Sequence, residues 1–113
     1  MKNDHLYILW TNDNPITAEH MVIMYAENAI LREWWKKVTI IIWGATSKLV
    51  AENTEIQASI ARAKVSGVEF SGCIACARNL GTVERLEALD IELIPWGMPL
   101  TELIKEDARI ITV

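Results

Sequence analysis

Val38-Thr39-Ile40-Ile41-Ile42-Trp43 is an almost unbroken run of β-branched and aromatic residues, and it restricts the fold more than any other segment. Side chains branched at Cβ are stiff about χ1 and suit the pleated surface of a sheet. A strand with one wet face would alternate apolar and polar residues. A run without alternation belongs to a strand covered on both faces, as in a parallel sheet lying between helices. Four more segments read as strands, Leu6 to Trp10, Val68 to Ser71, Ile91 to Pro95 and Ala108 to Val113.

Helical stretches separate them. Thr11-Asn12-Asp13-Asn14-Pro15 is a turn whose Pro15 opens one long helix, with Ile16 to about Trp35 rich in Ala, Met, Leu and Glu. Its apolar residues spread round much of the cylinder, more than a one-sided surface helix needs, and the adjacent Trp34-Trp35 pair reads as exposed; an oligomer interface is the natural use of the surplus. A short helix follows Gly44, and Thr54-Glu55-Ile56-Gln57 has the spacing of a capping box opening the next, which Gly67 ends. Another helix runs from Cys73 to Gly81, a short one starts at Thr82, and a last one spans Pro99 to about Lys105. Strands alternating with helices pair in parallel through right-handed crossovers. The expected architecture is a three-layer α/β/α sandwich on a mostly parallel five-stranded sheet, in a single domain over residues 1–113.

A chain of 113 residues can bury one core without disulfides or metal. Its net charge of −4, with Lys36-Lys37 as the best basic cluster, speaks against a nucleic-acid or anionic-membrane surface. Lys2 and Asp4 interrupt the start of the chain, and no run approaches the roughly 18 apolar residues of a membrane span. A cytoplasmic protein with reduced thiols is expected.

Both cysteines fall in Cys73-Ile74-Ala75-Cys76, where the third strand gives way to a helix. Unpaired N–H groups at a helix start favour thiolate over thiol, which favours attack on sulfur. In open parallel sheets, functional groups gather beyond the carboxyl ends of the strands. Those ends are Trp10, Trp43, Cys73 and Trp96, so three of the five tryptophans are expected to line one edge with the thiols, together with Asn12 and His20. His5 and His20 lack the spacing of zinc ligands, and no phosphate-cradling glycine loop occurs. Neither a metal nor a cofactor is expected. The C-x-x-C spacing fits dithiol redox chemistry, although no proline sits where a thioredoxin-type partner loop would need one.

The segment from Val68 to Gly81, Val-Glu-Phe-Ser-Gly-Cys-Ile-Ala-Cys-Ala-Arg-Asn-Leu-Gly, resembles the DsrE/DsrF-like family of small sulfur-relay proteins. It shares a strand leading to a cysteine eight residues before a glycine, and the order of strands and helices agrees along the chain. The resemblance implies a DsrE/F-like fold, flavodoxin-like in outline, with Cys73 carrying sulfane sulfur as a persulfide. Cys76 is then an auxiliary thiol that resolves the persulfide or tunes Cys73. It implies trimers or hexamers, and protein partners that donate and accept sulfur. Two other functions fit the residues: a redox protein using a Cys73/Cys76 disulfide, and a non-catalytic oligomer that binds a small ligand.

Overall fold

The computed structural model describes residues 4–113; Lys2, one of the charges that interrupt the start of the chain, lies outside them. Five strands, β1 (His5–Trp10), β2 (Lys37–Ile42), β3 (Glu69–Cys73), β4 (Glu92–Ile94) and β5 (Arg109–Thr112), pair in the order β4-β3-β2-β1-β5. Every pairing is parallel. β2 is central, with Ile40 in register with Ile8 on one side and Phe70 on the other. Val38, Ile40 and Ile42 point to one face of the sheet, Thr39 and Ile41 to the other, and all five are buried. Cover on both faces is why the run does not alternate.

The helices are α1 (residues 15–31), α2 (Ala45–Glu52), α3 (Thr54–Ser66), α4 (Ile74–Leu80), α5 (Val83–Ala88) and α6 (Gly97–Lys105). Ala18, Val22, Ile23, Ala26 and Ala29 of α1, with Val50, Ile56, Ile60, Ala63, Ala77 and Leu86 of the next four helices, meet Leu6, Ile8, Trp10, Ile40 and Phe70 in the main core. Each Ile or Leu so enclosed contributes about 1.5–3 kcal/mol relative to exposure. The other face carries α6 alone, where Trp96, Leu100 and Leu103 pack with Tyr7, Leu9, Ile41 and Cys73. Topology explains this lopsided sandwich. From β1 to β4 the chain steps across the sheet in one direction, and right-handed crossovers put α1 to α5 on one face. The return from β4 to the far side of β1 runs the opposite way and puts α6 on the other.

Three expectations about helix ends and surfaces need correction. α1 starts at Pro15 as expected, with Asn14 Oδ1 accepting hydrogen bonds from the N–H groups of Ile16 (2.9 Å) and Thr17 (3.0 Å). It is not one regular helix to Trp35: Ala18–Ile23 is π-helical, Met24–Leu31 is α-helical, and the chain then turns through Glu33 at φ 59°. The wider π turn brings the successive residues Val22 and Ile23 both into the core. The tryptophan pair is not uniformly exposed. Trp34 is 53% exposed, while Trp35 is half-buried and donates its Nε1–H to Tyr25 Oη at 3.2 Å. The cap of α3 is Asn53, whose Oδ1 accepts from Ile56 N at 3.0 Å. Gln57 does not close a capping box, because its amide donates instead to the carbonyls of Val50 and Ala51 at the end of α2. Gly67, at φ 113°, ends α3 in the left-handed conformation that glycine adopts at least cost.

Candidate functional site

Strand alternation carries Glu69, Ser71 and Cys73 of β3 to the thinly covered face. Gly72 points to the opposite face, where a Cβ would stand 2.8 Å from Leu93 Cδ2. Cys73 is both the last residue of β3 and the N-cap of α4. It is 5% exposed. Cys76, in the first turn of α4, is half-buried, and both cysteines are free thiols.

Cys76 and Trp43 both pack against the cluster of Ile41, Cys73 and Trp96, and the Gly44 backbone N–H and the Cys73 and Trp43 side chains act on the Cys76 thiol. These groups converge because β2 and β3 are neighbours with Ile42 in register with Gly72, which sets the turn after β2 beside Cys73. Gly44 makes that turn at φ 78°, ψ −138°, a conformation that side chains rarely allow. Burial pushes the Cys76 thiol above its ordinary range, the Gly44 N–H pulls it back, and the charge and hydrogen bond of Cys73 raise it again.

Trp96 follows β4, whose Ile94 is in register with Cys73. Its indole N–H donates to Ser71 Oγ at 2.8 Å, and Ser71 donates in turn to the Glu92 carbonyl at 3.2 Å. Held there, the 7% exposed indole packs with Cys73 and Ile41. Trp96 also lines an open cavity of about 540 Å³ on the sheet face, together with Tyr7, Thr39 and Glu69. Thr39 Oγ1 donates to Glu69 Oε1 at 3.1 Å and lies 2.7 Å from His5 Nε2. With that proton directed at Glu69, His5 is the donor to Thr39. Burial chiefly, then the Lys37 charge, lowers the pKa of His5, against an opposing effect of Glu69.

Of the residues expected to share an edge with the thiols, Trp43 and Trp96 do so. Trp10 does not. It follows Leu6 and Ile8 in the alternation of β1, faces the five-helix side and is wholly buried in the main core, its Nε1–H without a partner. Asn12 shapes the turn, its side chain accepting from Asn14 N at 3.1 Å and its carbonyl from Thr46 Oγ1 at 3.1 Å. His20 is exposed on the π-helical part of α1 and lines a separate hollow with Glu19 and Asn53. Gly44 and Ser71 were not foreseen. Ser71, polar in an otherwise apolar strand end, was the available signal for the second. Among the described residues, no group of three or more His, Cys, Asp or Glu is placed to hold a metal ion, and no helix is long and apolar enough to cross a membrane.

No protein-family model matches the chain, and no curated protein matches it. Among solved structures, the conserved protein of unknown function BT1422 from Bacteroides thetaiotaomicron superposes with a TM-score of 0.95 at 41% identity, over 97% of this chain and 95% of that one. The protein of unknown function MTH1491 from Methanobacterium thermoautotrophicum superposes with a TM-score of 0.65 at 13% identity, over 96% of this chain and 98% of that one. The second likeness is one of fold alone.

Proposed function

The chain belongs to the family of the Bacteroides thetaiotaomicron protein BT1422, itself of unknown function, so its role has to be read from its own residues, and we propose that it is a sulfur carrier of the DsrE/DsrF-like kind. Cys73 holds sulfane sulfur as a persulfide and passes it to a partner's thiol. The observation that carries this reading is the packing of the half-buried Cys76 against the cluster that encloses Cys73 at the carboxyl end of β3, where the Gly44 N–H and the Trp43 side chain favour the charged form of Cys76. A persulfide carrier needs a thiolate to attack the donor sulfur and nearby donors to hold the charge that each transfer leaves on sulfur. The motif from Val68 to Gly81 and the parallel α/β fold support the same reading. Apolar residues left open on α1 and its following turn, Ile16, Met24, Leu31 and Trp34, support assembly as a trimer or hexamer.

Transfer is the test. Protein loaded with inorganic polysulfide, freed of excess reagent and mixed with a small thiol acceptor is expected to give up one sulfur per chain, and the double variant Cys73→Ser/Cys76→Ser none. Equal release from wild type and the double variant would reject the carrier.

The placement of both thiols in one packed cluster supports a second reading, a dithiol that closes to a Cys73–Cys76 disulfide. Titration in glutathione buffers separates the two. A redox protein forms the disulfide reversibly at cellular potentials, whereas a carrier loads sulfur while the pair is reduced.

A further inference from the structure

Resting on the carrier reading, we infer that sulfur from a protein donor is received by Cys76 and passed inward to Cys73, rather than delivered to Cys73 directly. Exchange between sulfurs requires the attacking, central and departing atoms to lie nearly in line, so the sulfur that meets a donor protein must be open to it. Cys73 does not meet that condition. It is 5% exposed, at the root of α4, and Trp96, itself 7% exposed and bonded to Ser71 at 2.8 Å, closes over it with Ile41. Cys76 lies one turn further along α4, half-buried, and packed against the cluster that holds Cys73, Ile41 and Trp96.

Two exchanges complete the route. First, the Cys76 thiolate attacks the outer sulfur of a donor persulfide R–S–SH; a Cys76 S–S bond forms, the donor S–S bond breaks, and R–S⁻ departs and takes up the Cys73 proton. Second, the Cys73 thiolate attacks the outer sulfur on Cys76, giving Cys73–S–SH and releasing Cys76 as a thiolate. The net change is R–S–SH + Cys73–SH → R–SH + Cys73–S–SH, with no external oxidant or reductant. The Gly44 N–H and the Trp43 side chain favour the charged form of Cys76, which helps it depart as a thiolate in the second step. The persulfide then rests on the sheltered sulfur beneath Trp96.

Donor size separates this route from direct delivery. Wild type, Cys73→Ser and Cys76→Ser are each exposed to serum albumin persulfide and, separately, to inorganic polysulfide, then alkylated and mapped by mass spectrometry. Wild type is expected to carry sulfur on Cys73 from both donors. Cys76→Ser loads from polysulfide, which also shows that it is folded, while its loading from albumin falls by about tenfold or more, as access controls exchange. Cys73→Ser retains the sulfur on Cys76. Loading of Cys76→Ser from albumin at the wild-type rate overturns the relay and leaves the carrier standing. Failure of wild type to load from either donor overturns both.

Discussion

At the scale of single residues, the two thiols are made unequal by their surroundings. Cys73 is sheltered and Cys76 only half-buried; the affinity of Cys76 for its proton is raised, chiefly by burial, against the opposing effects of the Gly44 N–H and the Trp43 side chain. Because Trp43 opposes that rise, replacing it should add to it. Trp43→Phe is predicted to move the pH at which iodoacetamide modifies Cys76 further upward, with little change at Cys73. A profile identical to wild type would remove the indole N–H from the site. The sign follows from hydrogen bonding: a donor to the thiolate favours the charged form, and its loss favours the proton. The cysteine pair and its place at a strand end were legible in the residues themselves, since a β-rich stretch ending in Gly-Cys ahead of a helical stretch is local information. Gly44 and the Trp43 N–H were not. Their bearing on Cys76 exists only because β2 neighbours β3, and local sequence does not encode strand adjacency.

At the scale of elements, Trp96 is the joint between α6 and the sheet. Its indole reaches Ser71 on β3 and packs on Cys73, so one side chain both fastens the single helix of that face and closes the site. Trp96→Phe is predicted to lower stability in urea by about 1 kcal/mol, the usual net worth of a neutral hydrogen bond. Cys73 should react faster with a bulky maleimide in the same variant. Loss of stability without faster labelling would show that the indole fastens the helix but does not shield the thiol. Expecting all the strand-end tryptophans at one edge treated the strand end as a point, whereas alternation assigns each residue to a face. Trp10 falls in phase with Leu6 and Ile8, on the five-helix side. The π-helical turn of α1 was hidden for a related reason. Adjacent apolar residues such as Val22-Ile23 read as surplus cover on a regular helix, when the extra residue in the turn buries both.

At the scale of the whole molecule, α/β layering was legible from alternating strand and helix patterns, and strand order was not. The observed order β4-β3-β2-β1-β5 sets β2 in the middle with both neighbours paired, and leaves β4 and β5 as edges. Amide exchange in the native state is therefore predicted to be slowest in Ile40, Ile41 and Ile42 and fastest among the strands in β4 and β5, since edge amides open with less loss of buried contact. Uniform protection across the sheet would contradict that gradient. The same order makes one outer layer five helices thick in sequence and the other a single helix, and it is beneath the single helix that the thiols lie. The carrier proposed above holds one transferable sulfur on Cys73, and peptide mapping of the wild-type protein after polysulfide exposure and alkylation reads that sulfur directly. The expected result is the mass of one added sulfur on the peptide, located at Cys73, in an otherwise reduced pair; an unmodified pair, or sulfur settled only on Cys76, would overturn the proposal.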